Sequence, residues 1–303
     1  MKMEKIPFKE IRKIVKKFLK DKKTEETKKK RGRPKKYKDE IIFTALLFMQ
    51  SRGLSFRDLR SELKERINKA PHISNLHYRF KRIDEKVMEE LLEYVRKEVE
   101  KRYKIKGYKY IVIDGTGFGY DTKYRQRIKR GKEIRQIKSH IRVGVIIGVR
   151  KDIKKNIVMG VKTGKAYESE VKIAKEIIEG GIELNGEYFI GDKAYDSIEL
   201  IKEIENRGIK PAIKVKETFR IDVKDERRKR AKRYSEDEKV YKERNRIESV
   251  FGNVKRGGRD YFNTKKENLA RIYAISLFIL FNIRILLIWL FKTPFLKVFS
   301  FLT

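Results

Sequence analysis

Two aspartates and one glutamate stand where a hard-metal site could be built. Asp114 closes the apolar run Tyr110-Ile-Val-Ile, and Asp192 closes the run Glu187-Tyr-Phe-Ile-Gly, each beside a glycine. Glu248 follows Asp192 by 56 positions. Two strand-end carboxylates and one on a helix can hold two divalent cations, roughly 3.5–4 Å apart, for phosphoryl transfer. An Asp after a strand also suits a turn or a helix cap, so the pair alone leaves both readings open.

The third carboxylate sits in a sharper pattern. Tyr241, Arg244, Glu248 and Lys255 are spaced Tyr-x2-Arg-x3-Glu-x6-Lys. At about 100° per residue their directions fall within about 60° on one helical face. Arg and Lys suit phosphates, and Tyr can stack on a base or donate to a phosphate oxygen. A solvated helix face is the alternative in a chain so rich in Lys and Glu. The chain has no cysteine and three histidines, His72, His77 and His140, without a recognisable ligand spacing. Oxygen ligands therefore point to Mg²⁺, with Mn²⁺ as a substitute.

The elements that must position these residues read as α/β. Strands are expected at Tyr110–Asp114, Ile141–Val149, Ile157–Val161 and Glu187–Gly191, with a short one around Ala212–Val215. Helices are expected at Glu168–Glu179, Ile198–Asn206 and, unbroken, from about Asp237 to Lys255. That order gives a mixed sheet with helices on its faces, its strand-end carboxylates at the usual functional edge. Asp196 suits the N-cap of the helix that follows it, with a place beside the metal ligands as the alternative. Two basic stretches, Lys123–Lys138 and Arg227–Arg233, read as loops that either track phosphates or are simply solvated.

Ahead of this lies a helical region. Residues 39–83 read as three short helices: Asp39 caps the first, Gly53 ends it, and Ser55 with Asp58 forms a capping box for the second. The third, from Pro71-His-Ile-Ser, exposes Asn75, His77, Tyr78, Arg79, Lys81 and Arg82, the outline of a helix-turn-helix or of any small bundle. An amphipathic helix from Glu85 to about Arg102 follows. Phe8, Ile11, Ile14, Val15, Phe18 and Leu19 recur at helical spacing, on a helix that either docks on the fold or contacts DNA. Arg31-Gly-Arg-Pro-Lys-Lys resembles an AT-hook core, with Arg31 and Arg33 suited to a narrow minor groove. The expected divisions are 1–36, 37–105, 106–291 and 292–303.

Charge agrees with a polyanion partner. The chain has 79 Lys and Arg against 43 Asp and Glu, a formal net charge of +36 over 303 residues, and nucleic acid is the default counterpart. The run Ile272–Phe291 is about one bilayer long but holds Asn282 and Arg284 near its middle, where Arg costs roughly 2.5–3.5 kcal/mol. It reads as a helix covering the sheet or a partner. With no signal-peptide pattern at the start, the expectation is a cytoplasmic protein without a membrane span.

The motifs Ile113-Asp114-Gly115-Thr116, Gly191-Asp192-Lys193-Ala194-Tyr195-Asp196 and Tyr241…Arg244…Glu248…Lys255 resemble those of insertion-sequence DDE transposases of the branch with a Tyr-Arg-Glu-Lys signature. The resemblance spans about residues 37–290. It implies a ribonuclease H-like mixed sheet flanked by helices, preceded by a small all-α helix-turn-helix-like domain. It also implies Mg²⁺ on Asp114, Asp192 and Glu248, with Tyr241, Arg244 and Lys255 on the double-stranded DNA of the element ends. Water would cleave at those ends and the freed 3′-hydroxyl attack target DNA, in a homodimer on DNA. The 56-position spacing leaves no room for the large β-rich insertion of some relatives. The alternatives are a ribonuclease H-like nuclease that does not join strands, a non-catalytic DNA-binding protein, and a membrane-associated basic protein.

Overall fold

The structure, a computed structural model, describes residues 2–25, 36–121, 125–130, 133–150, 155–217 and 225–299. The chain forms two compact units, one of residues 1–103 with 271–303 and one of residues 104–270.

The first unit is helical: α1 (Phe8–Glu25), α2 (Asp39–Arg52), α3 (Phe56–Arg66), α4 (Ile73–Phe80) and α5 (Glu85–Arg102). Helix α1 docks through its apolar face, burying Phe8, Ile11, Val15 and Phe18. The Phe8 ring meets Phe48 edge-on at 5.2 Å, and Arg12 Nε donates to Glu40 at 2.7 Å. Gly53 ends α2 in the left-handed region at φ 65°, which a side chain would strain. The Ser55–Asp58 capping box opens α3. Asp39 is not a cap: it is the first residue of α2, and its carboxylate pairs instead with Arg79.

The second unit holds a six-stranded sheet. Its strands are β1 (Tyr108–Tyr120), β4 (His140–Arg150), β5 (Lys155–Lys165), β6 (Gly186–Gly191), β7 (Lys210–Ile213) and β8 (Tyr261–Phe262), while β2 (Arg125–Arg130) and β3 (Glu133–Lys138) form a separate hairpin. Spatial order is β5-β4-β1-β6-β7, with β8 beside the far end of β1. β4 runs antiparallel to β1 and β5, whereas β6 is parallel to β1 and β7. Three antiparallel strands followed by two parallel ones are the ribonuclease H-like arrangement. Ile111, Val112 and Ile113 are at most 1% exposed, as a central strand covered on both faces requires.

Helices α6 (Glu170–Glu179), α7 (Ile198–Asn206), α8 (Glu226–Glu236), α9 (Glu238–Tyr241) and α10 (Asn245–Lys255) complete this unit. Helix α6 lies close against the sheet because β4 offers no side chain there: a Cβ on Gly144 would lie 2.4 Å from Ile173 Cγ2.

Three expectations are corrected here. The basic stretch Lys123–Lys138, read as a loop, holds the β2–β3 hairpin. The helix expected from Asp237 to Lys255 is broken by a 3₁₀ turn at Lys242–Arg244. The basic stretch Arg227–Arg233 is not a loop but the body of α8. Arg227 and Arg230 pair with Glu205, and Arg228 pairs with Asp196.

Helix α11 (Glu267–Phe299) closes the chain, and from Arg271 onward it groups with the first unit. Tyr103 Oη donates to the Ile285 carbonyl at 3.3 Å, and Arg271 lies 3.9 Å from Glu85. The sheet-bearing unit spans residues 104–270. The stretch Glu267–Ile288 is long and apolar enough to cross a membrane, but 83% of its most apolar window is buried within the protein.

Candidate active site

Asp114 is not at the end of its strand, because β1 continues six residues beyond it to Tyr120. What stops is its neighbour β6, at Gly191. Val112 pairs with Ile190 in parallel register. Two residues farther on, Asp114 and Asp192 therefore lie at the same level on adjacent chains, and the sheet opens between them. The Asp114 carboxyl is held above its ordinary value, chiefly by burial. Its hydrogen bond to Gly115 and the Arg244 charge oppose that rise, while the charges of Asp192 and Glu170 add to it. Asp192 Oδ1 accepts from Ala194 N at 2.8 Å, which fixes the turn after β6.

Arg244 joins these strands to helix α10. Its Nη2 donates to Asp114 Oδ2 at 2.8 Å and its Nη1 to Glu248 Oε1 at 3.1 Å. Asp114 Oδ1 is taken by Gly115 N, also at 2.8 Å. The guanidinium Nε is buried without a hydrogen-bond partner among the described residues. Glu248 is the most open of the three carboxylates, with its side chain 58% exposed against 13% for Asp114. Among the described residues no three Asp, Glu, His or Cys side chains converge as one metal-binding group; Arg244 fills the gap between Asp114 and Glu248.

The 3₁₀ turn changes the expected stripe. Tyr241 ends α9, Arg244 ends the turn, and Glu248 and Lys255 lie on regular helix. Lys214 Nζ sits 4.3 Å from the centre of the Tyr241 ring. The Tyr241 phenol is raised chiefly by burial, with Arg244 opposing and the Asp192 and Asp114 charges adding. Beside it opens a cleft of about 690 Å³ lined by Lys193, Lys214, Lys232, Tyr241 and Lys242 among others. Lys255 Nζ lies 5.1 Å from the centre of the Phe118 ring, and burial lowers its pKa, opposed by Asp260.

Asp196, expected as a helix cap, does something else. Ser197 is the N-cap of α7, while the Asp196 carboxylate accepts Arg228 Nε at 2.9 Å, Arg228 Nη2 at 2.6 Å and Lys216 N at 2.8 Å. Residues that sequence spacing did not single out also gather here. Glu170 opens α6 and accepts from Arg142 Nη1, and Tyr195 is 1% exposed in the field of Glu170, Asp114 and Asp192. An acidic residue in a helix's first turn was the only signal for Glu170, and it is too common to discriminate.

The expected nucleic-acid contacts of the helical unit divide. Arg31 and Arg33 lie outside the described residues. Arg79 turns inward, its side chain 16% exposed, to Asp39 and to the Tyr37 carbonyl at 3.2 Å. Its neighbour Tyr78 is 47% exposed, with the Arg82 guanidinium 3.9 Å from its ring centre.

Residues 105–283 match the family model described as a transposase DDE domain. An uncharacterized protein of Aquifex aeolicus (strain VF5) is 36% identical over 261 residues, covering 85% of this chain and 80% of that protein. Among solved structures, the Mos1 transposase paired-end complex with left transposon end is similar at 12% identity and a TM-score of 0.20. That likeness covers 63% of this chain and 64% of the other.

Proposed function

Because the chain belongs to the transposase DDE family, we propose that it cleaves the ends of a DNA element and joins them to target DNA at a centre formed by Asp114, Asp192 and Glu248. The observation that carries this is the Arg244 fork, which ties a β1 carboxylate to a helix carboxylate beside the level of Asp192. The reading includes the Tyr-Arg-Glu-Lys branch, through the spacing of Tyr241, Arg244, Glu248 and Lys255.

The donor chemistry fits a divalent cation of the Mg²⁺ type. Asp114 and Asp192 offer hard oxygens at one level, their charges repel, and a positive group already sits against Asp114. Asp114 and Asp192 would hold the cation, and Glu248 would join them when Arg244 turns to phosphate. Such a cation supplies Lewis-acid stabilisation of charge on the phosphate and a more acidic bound water.

The chain's own residues do the positioning. Arg244 can fork onto a phosphate as it does onto two carboxylates. Tyr241, a phenol that keeps its proton at neutral pH, donates to a phosphate oxygen or stacks on a base. Lys255 adds a point charge along the same helix. In the first step a water oxygen bonds to phosphorus and the 3′ oxygen of the strand leaves with a proton. In the second, that 3′-hydroxyl attacks a target phosphate and displaces a target 3′ oxygen.

The net charge of +36 supports a double-stranded DNA partner. Arg31 and Arg33 are assigned to the minor groove. Helix α4 is assigned to DNA through Tyr78 and Arg82, with Arg79 joining if it leaves Asp39. Two element ends that must meet call for a homodimer on DNA. The protein is read as acting in the cytoplasm.

The test uses DNA from the flanks of the gene, where terminal inverted repeats belong. Labelled flank duplexes and a plasmid are incubated with the full chain, with and without Mg²⁺. Mg²⁺-dependent joining that Asp192→Asn abolishes is the expected result. Cleavage without joining indicates a nuclease, and binding without chemistry a regulator.

A further inference from the structure

The β2–β3 ribbon carries charge that the Asp114 centre does not use. Directly opposite residues share a face, and positions alternate between faces along each strand. Arg125, Arg127 and Lys129 of β2 therefore fall on one face together with Lys138 of β3. Those four cations share their face with no acidic residue. The other face holds Arg130 and Arg135 with Glu133, and Glu133 stands opposite Arg130.

The two faces differ in sign of pairing as well as in charge. On the first, Arg125 stands directly opposite Lys138, and like charges so placed repel. On the second, the opposed pair has the favourable sign. A sheet of only two strands has little stability of its own to set against that repulsion. A polyanion laid on the first face turns the repulsion into attraction.

Duplex DNA is the polyanion that fits. The major groove, about 12 Å wide, admits a two-stranded β-ribbon. Residues two apart on a strand are separated by about 6.7 Å, which is the rise of two base pairs at about 3.4 Å each. Arg125, Arg127 and Lys129 recur at that interval. A single strand is held instead by stacking on aromatic rings, and no residue of β2 or β3 is aromatic.

The ribbon is also within reach of the candidate centre. Both lie in the sheet-bearing unit. Asp114 pairs with Val145 of β4, and only Ser139 separates Lys138 from the start of that strand. The seven steps from Val145 back to Lys138 span at most about 24 Å, or about seven base pairs.

We propose that the β2–β3 ribbon is a duplex-DNA contact of the sheet-bearing unit, holding phosphates beside the reacting DNA with Arg125, Arg127, Lys129 and Lys138. The contact is independent of base sequence. It rests on the reading that this chain acts on duplex DNA.

The experiment compares two double variants of the full chain that lose equal charge. Arg125→Gln with Arg127→Gln empties the first face, and Arg130→Gln with Arg135→Gln alters the second. Binding to a flank duplex, a random-sequence duplex and a single strand is measured by anisotropy across a salt series, beside thermal melts. The first pair is expected to lower the salt slope on both duplexes by about two and to weaken binding about tenfold or more. The second pair is expected to lower the slope by less than about one. A native slope in the first pair, or equal losses in the two pairs, overturns the ribbon contact and leaves the proposed function standing. An equal loss on the single strand overturns the assignment to duplex. If the native chain binds no duplex, the proposed function falls and the ribbon contact with it. Should the first pair fail to fold, Lys138→Gln alone is expected to lower the duplex slope by about one, and a native slope in it overturns the proposal.

Discussion

Arg244 and Asp114, 130 positions apart in the chain, share a 2.8 Å hydrogen bond from Nη2 to Oδ2. The same guanidinium holds Glu248. Arg244 thus braces the two carboxylates and sets its positive charge against both.

Replacing Arg244 with Ala is predicted to weaken binding of element-end duplexes and to lower the salt slope by about one. Arg244→Lys should not restore the native level, because an ammonium cannot fork onto two oxygens. Fluorescence anisotropy across a salt series reads both effects. Native affinity and slope in Arg244→Ala would remove it from the DNA contacts.

Asp114→Asn is predicted to melt higher than the native chain at neutral pH in metal-free buffer. The folded pKa of Asp114 is raised, so its ionised form costs stability above that pKa. The cost disappears as pH falls below the unfolded value, so the advantage of the amide variant should shrink there. Calorimetry at several pH values checks this, and a variant that melts lower at neutral pH contradicts it.

Asp196→Ala strands Arg228 and leaves Lys216 N without its acceptor. The Asp196 side chain is 2% exposed and that of Arg228 19%, so the loss should be roughly 3 kcal/mol. Urea unfolding measures it. A change within about 0.5 kcal/mol, the usual range for surface substitutions, would mean that the pair does not hold α8 to the sheet.

Gly148→Ala tests the sheet. Its Cβ would lie 2.3 Å from Tyr108 Cε1, on a face of the sheet where Gly148 of β4 pairs with Ile111 of β1. Overpacking there is predicted to cost about 1–3 kcal/mol. An unchanged melting temperature would show that Tyr108 can move aside freely.

Much of the site was legible because local sequence determines it. The contiguous β-branched residues before Asp114 require a buried strand. The matching Phe-Ile-Gly run before Asp192 required a second, and parallel pairing then put the two carboxylates at one level. The 3₁₀ turn at Lys242–Arg244 was not legible, because the residues Glu238–Lys255 are helix-compatible throughout. Helix α8 was missed because Ala231 is its only buried apolar residue. It is held by arginine pairs to Asp196 and Glu205, which no periodicity reports. Glu170 and Arg142 meet only through tertiary packing of α6 on β4.

The most direct measurement of the central claim is quantitative strand joining by Glu248→Gln, with end binding followed in the same samples. Glu248 is exposed and, among the described residues, braced only by Arg244, so the amide should leave the fold and DNA affinity near native. The account predicts bound DNA with joined product reduced at least about a hundredfold in Mg²⁺, on the order seen when a positioned transition-state group is removed. Native levels of joined product from Glu248→Gln would contradict it and take the helix carboxylate out of the chemistry.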